Sequence, residues 1–125
     1  MNTAELALKE RIKELTCLYE VSSIIVQANS ELLEDTLSAI ARSLKNAFKF
    51  SEFTEIVIQT PLIAVNTTIN FEHKVVISSP ILSFNKANGS IHAYLPKDKF
   101  SQNDFLFEEQ QLLDSVALKI GNLLE

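Results

Sequence analysis

The chain reads as an α+β protein with two N-terminal helices, a sheet of about four antiparallel strands, and one C-terminal helix. Three observations predict this. Apolar residues recur at helical spacing at both ends of the sequence. Between them lie four short stretches rich in Val, Ile, Thr and Tyr. Prolines and a turn dipeptide punctuate those stretches.

The first helix is expected from about Ala4 to Gln27. Leu8, Ile12, Leu15, Tyr19, Ser22 and Val26 are separated by 4, 3, 4, 3 and 4 positions, the repeat of a coiled-coil seam with one polar interruption at Ser22. A second stripe of Leu18, Val21 and Ile25 runs beside the seam in the C-terminal half. The helix is thus expected to face both its own domain and a partner helix. In "NSELLEDT", Asn29 or Ser30 can cap the next helix, with Glu31, Glu34 and Asp35 at its positive end. Leu33, Leu37, Ile40, Leu44 and Phe48 mark its inner face, giving a second helix over Glu31–Phe48.

The strand-like stretches are "TEIVIQT", "LIAVNTTINF", "KVVISSPILSF" and "SIHAYLP". Asn88-Gly89 signals a turn before the last of them, because glycine tolerates a positive φ. Pro80 makes the third stretch an edge strand or marks a bulge. The polar loop "PKDKFSQNDF" leads to a final helix over about Phe105–Leu124, striped by Leu112, Leu113, Val116, Ala117, Ile120 and Leu124. That stripe runs to Leu124, one residue before the end of the sequence, so the helix is expected to continue into an output domain, with Gly121 tolerated in its interior.

Bulk properties narrow the function. At 125 residues the chain is long enough for one domain with one core. A net charge of -5 and scattered lysines argue against nucleic acid. The charged first twenty residues are no signal peptide, and no apolar run approaches the roughly 20 residues of a membrane span. The lone Cys17 excludes an intrachain disulfide and suits a reducing, cytoplasmic setting; a buried structural role is its expected one.

Chemistry finds little to work with. His73 and His92 have no ligands at metal spacing, and both read as solvent-facing strand histidines. Glu108 and Glu109 are adjacent and point to different helix faces, so they serve the helix dipole rather than paired acid–base work. Gly89 and Gly121 cannot build a phosphate cradle. No catalytic set, metal or cofactor is expected.

Helix, helix, antiparallel sheet, helix resembles the outline of a GAF domain, and local sequence adds to the resemblance. "LKERIKELTCLYEVSSII", "NGSIHAYLP" and "FLFEEQQLLDSVALKIGNLLE" are similar to compact GAF-like domains at the front of bacterial sensor histidine kinases and of phosphoenolpyruvate synthase-like proteins. Together they cover roughly half the chain. The Asn-Lys and Phe-x(3)-Asp-Glu pattern of cyclic-nucleotide-binding members is matched by Asn85, Lys86, Phe100 and Asp104, with Phe105 in place of the Glu. The resemblance implies a Lys86–Asp104 tie, the alternative being two solvated charges. Only about 55 residues separate helices two and three, as in a core stripped of the insertions that roof the family's pocket.

What the resemblance implies is a non-enzymatic, cytoplasmic sensory or relay module, a homodimer through Leu8, Ile12, Leu15, Tyr19 and Val26, joined to an output domain. The alternative is a small-molecule receptor. Its pocket would be lined by Ile56, Ile58, Ile77, Ile91 and Ala93, or by His92 and Tyr94 if the strand faces are inverted, and the bland reading of the aliphatic set is plain core. A third class is a stand-alone interaction adaptor.

Overall fold

A computed structural model describes residues 2–28, 32–67 and 73–125. Helix α1 spans Thr3–Val26, α2 Leu33–Ala47 and α3 Phe107–Leu123. Strands β1 (Glu55–Gln59), β2 (Ala64–Asn66), β3 (Lys74–Ser83) and β4 (Lys86–Pro96) lie between α2 and α3 in sequence. They pair antiparallel in the order β2-β1-β4-β3. One-turn 3-10 helices at Ser51–Phe53 and Gln102–Asp104 precede β1 and α3. The protein is α+β, with the elements in the predicted order.

Local chemistry explains the elements. Asn2 caps α1: its Oδ1 accepts the Glu5 N–H at 2.8 Å, and Glu5 returns a bond to the Asn2 N–H. Lys45 closes the exit of α2 by donating to the carbonyls of Ser51 and Thr54, and its partial burial lowers its pKa. Along the sheet, side chains alternate. Ile56, Ile58, Val65, Ile81, Ile91 and Ala93 point to one face and are buried. That face is covered by α2, which packs on β1 and β2, and by α3, which packs on β3 and β4. Leu37, Ile40, Leu44 and Phe48 of α2 and Leu112, Leu113, Val116 and Ile120 of α3 complete the core. Helix α1 lies outside this layer, across α2 and α3.

Several boundaries differ from expectation. Helix α2 begins at Leu33; the expected caps Asn29 and Ser30, and Glu31, lie outside the described residues. The second strand is Ala64–Asn66, and the 68–71 end of its predicted stretch is likewise outside them. Helix α3 starts at Phe107 rather than Phe105, because Phe105 and Leu106 are extended and the Glu109 carboxylate accepts the Leu106 N–H at 2.7 Å.

The Asn88-Gly89 turn is not where the chain reverses. The β3–β4 hairpin turns at Phe84 and Asn85, both at positive φ (52° and 62°), with Ser83 paired to Lys86. Asn88 and Gly89 instead lie opposite Ile81 as a bulge in β4, between the Pro80–Ser90 and Leu82–Ala87 pairs. Gly89, at φ +130°, lets β4 approach β1 where a Cβ would stand 2.1 Å from the Gln59 carbonyl oxygen. Pro80 does sit on an edge strand and beside this bulge.

Gly121 has a sharper role than tolerance. It lies buried in the last turn of α3, where a Cβ would stand 2.1 Å from the Leu82 carbonyl oxygen. Ser83 Oγ donates to the Gly121 carbonyl at 3.1 Å, pinning the same crossing. Helix propensity alone would make Gly→Ala stabilising by about 1 kcal/mol. The contact reverses that sign. Gly121→Ala is expected to lower the unfolding free energy by about 1–3 kcal/mol through overpacking, seen as a lower denaturant midpoint. A midpoint at or above wild type would show that β3 yields freely at this point.

Candidate functional site

Helix α1 has two unlike faces. Glu14, Cys17 and Val21 are buried against α2 and α3, and Leu18, Ile24 and Ile25 pack partly against the core. The opposite face carries the seam. Leu8, Ile12, Leu15, Tyr19 and Val26 are between 49% and 79% exposed, and Ser22 is half-buried. All five apolar seam residues therefore lie on one continuous outer stripe. Leu118 of α3, 66% exposed, extends it sideways. A groove of about 520 Å³ between the helices is lined by Leu18, Tyr19, Ser22, Ser115, Leu118 and Lys119. Monomeric proteins keep large apolar side chains from clustering in this way unless the patch meets something.

The charges around α1 are paired locally. Arg11 contacts Glu14 at 2.8 Å and Lys13 contacts Glu10 at 3.5 Å. Beneath the helix, Ser43 Oγ donates to Glu20 at 2.7 Å and lies 3.6 Å from Cys17 Sγ. Burial pushes the Cys17 thiol up to about 11; the Ser43 hydrogen bond opposes this and the Glu20 charge adds to it. Such a thiol is neutral at physiological pH and is a packing residue rather than a nucleophile. Thr36 Oγ1 and Glu14 Oε2 are buried without a partner among the described residues.

Glu109 is the residue whose role the sequence hid. Its two carboxylate oxygens accept the N–H groups of Leu106 (2.7 Å) and Lys49 (2.8 Å), tying the entry of α3 to the exit of α2. No Ser, Thr, Asp or Asn stands at the cap position to announce the arrangement, since Leu106 offers only its backbone. Burial raises the Glu109 pKa; the two backbone bonds and Lys13 oppose the rise, and Glu10 adds to it. Native protein therefore holds this proton to a higher pH than unfolded chain does, so the stability Glu109 contributes is lost as pH rises through the raised value. Relative to Glu109→Gln, wild type is expected to gain stability as pH falls from neutral towards 4.5, the group's ordinary value. Denaturant melts of the two proteins across that range check it, and a flat or opposite difference would exclude a raised pKa.

The candidate pocket residues separate into two environments. Ile56, Ile58, Ile91 and Ala93 are fully buried core, and Ile77 packs against that core. His92 and Tyr94 point to the other face of the sheet, as alternation requires. There the His92 and Tyr94 rings stack at 5.8 Å, and Ser90 Oγ lies 2.8 Å from His92 Nε2. Lys74 Nζ sits 4.6 Å from the centre of the Tyr94 ring and 3.2 Å from Glu55. A serine–imidazole contact works catalytically only with a group orienting the ring and donors for the developing charge. The contacts of His92 described here are a hydroxyl and an aromatic ring. His73 is exposed in the bend before β3, and among the described residues no cluster of His, Cys, Asp and Glu suits a metal.

Lys86 and Asp104 are not brought together. Lys86 opens β4 at the hairpin, whereas Asp104 follows its far end and accepts the Ser101 N–H at 2.8 Å. Gln102, two residues before Asp104, bonds Val76, which pairs with Tyr94. From Lys86 to Tyr94 is roughly 25 Å of strand, so the two charges stand at opposite ends of the sheet.

Among the described residues no helix is long and apolar enough to cross a membrane. Compared with known proteins, the chain matches no family model and no curated protein sequence.

Proposed function

We propose that this protein is a non-enzymatic sensory and relay module of the compact GAF-like kind, which pairs with a second copy through α1 and passes a signal to an output domain, as in a bacterial sensor histidine kinase. The observation that carries this reading is the exposed seam. Five large apolar side chains at coiled-coil spacing face outward on one helix, and a groove beside them continues onto α3. Burying a Leu, Ile or Val side chain contributes about 1.5–3 kcal/mol, so a shared seam supplies a strong driving force for pairing. The order of helices and strands supports the GAF-like assignment. Relay follows from position. Helix α1 lies directly on α2 and α3, so a shift of about an ångström or two in the paired helices reaches α3. A cytoplasmic setting suits the buried, protonated Cys17 thiol.

The test is a pair of substitutions at exposed positions. Ile12→Glu with Tyr19→Glu is expected to halve the mass measured by light scattering without changing the circular dichroism spectrum. An unchanged dimer mass would move the interface elsewhere, and a wild type that is monomeric at high concentration would sink the pairing altogether. The intact mass of the native gene product then separates a relay module within a larger protein from a free-standing adaptor.

A second reading, a small-molecule receptor, draws on the stacked His92–Tyr94 pair beside Ser90 on the outer sheet face. It expects a thermal shift of several degrees with some nucleotide, tetrapyrrole or small metabolite, abolished by His92→Ala. Shifts absent across the screen, or retained in His92→Ala, would remove that site.

A further inference from the structure

Strand β3 is an edge of the sheet, and ten residues of free edge would normally be a template for pairing with another chain. In an antiparallel strand every second residue directs its N–H and C=O away from the neighbour. Here the outward set includes Val76, Ser78 and Pro80, and at each of them at least one outward group is occupied or missing. The Gln102 carboxamide bonds Val76 twice: its Nε2 donates to the carbonyl at 2.6 Å, and its Oε1 accepts the N–H at 3.4 Å. Gln110 Nε2 donates to the Ser78 carbonyl at 2.9 Å and is held in place by Asp114 at 3.0 Å. Pro80 has no N–H to offer, and the bulge opposite Ile81 bends the ladder just beyond it. A carboxamide has the donor and acceptor of a peptide group, so Gln102 occupies the place of one residue of a missing strand.

We propose that Gln102 and Gln110 form a lock on the β3 edge, and that without it the sheet pairs edge to edge with a second copy of this chain. The lock keeps association on the helices. Gln102 lies in the 3-10 helix before α3 and Gln110 in α3 itself, the helix that Gly121 seats on β3. The second copy is the fitting occupant because two β3 strands meeting antiparallel around Val76 and Ser78 satisfy each other's outward groups with identical chemistry, and Pro80 stays at the periphery of the joint.

The experiment uses Gln102→Ala with Gln110→Ala in the Ile12→Glu, Tyr19→Glu background, so that helix pairing does not mask the sheet. The readouts are light-scattering mass against concentration and the exchange rate of the Ser78 amide, whose N–H points outward. The lock predicts a concentration-dependent doubling of mass, together with Ser78 exchange slowed about tenfold or more when the strands pair. Adding Ser78→Pro, which removes the outward donor at the centre of the joint, should return the protein to its former mass. Should the double variant not fold, Gln102→Asn, which shortens the reach by one methylene and keeps the carboxamide, is read in the same way. Unchanged mass with fast Ser78 exchange at all concentrations would overturn the proposal and leave the glutamines as simple struts. Association that Ser78→Pro does not reverse would also overturn it. Because Ser78 exchange reports the sheet alone, the outcome stands apart from that of the helix seam.

Discussion

The close seating of α3 on β3 governs how the helices pack on the sheet. Where α3 crosses β3 there is no room for a side chain between Gly121 and the Leu82 carbonyl, and Ser83 Oγ fastens the crossing to the Gly121 carbonyl. With α3 seated that deeply, Leu112, Leu113, Val116 and Ile120 reach the Ile-rich face of the sheet. The groove between α2 and α3 then lies where Cys17 and Val21 of α1 can fill it. Because α1 is held by that inner face, its seam is left facing outward.

Glu109 and Lys45 act as fasteners at element ends. Glu109 gathers two backbone N–H groups from separate segments, and Lys45 gathers two carbonyls from the connection after α2. Each satisfies backbone groups that a helix end or loop leaves without partners. The cost is a charge partly removed from water, visible as the raised pKa of Glu109 and the lowered pKa of Lys45. Displaced pKa values are often a sign of an active site, but here burial at the ends of α2 and α3 gives them a structural cause.

The two surfaces left over differ in kind. The α1 stripe carries four exposed aliphatic side chains and Tyr19, interrupted once by Ser22, and is the surface on which helix pairing is proposed. The outer sheet face mixes Val57, Ser78, Ser90, His92 and Tyr94 with the Lys74–Glu55 pair, and its edge is occupied by glutamine side chains. These differences underlie the proposal that association runs through the helices rather than the sheet.

The sequence by itself determined the order of elements, the inner faces of α2 and α3, and that the stretch around Pro80 is an edge strand or bulged. Each depends on a local rule: an apolar period of 3.6 or 2, and proline's missing N–H. The α1 seam was legible for the same reason. Which stripe of α1 is buried was not, since two apolar stripes run side by side and only docking on α2 and α3 chooses between them. The hairpin was misplaced because glycine signals positive φ without saying whether a turn or a bulge needs it. Register settled that, with Asn88 and Gly89 opposite Ile81 and the reversal at Phe84–Asn85. The long-range ties of Glu109, Gly121 and Gln102 had no local signature. Their partners, Lys49, Leu82 and Val76, are distant in sequence, and contacts of that range exist only once the tertiary structure has brought the segments together.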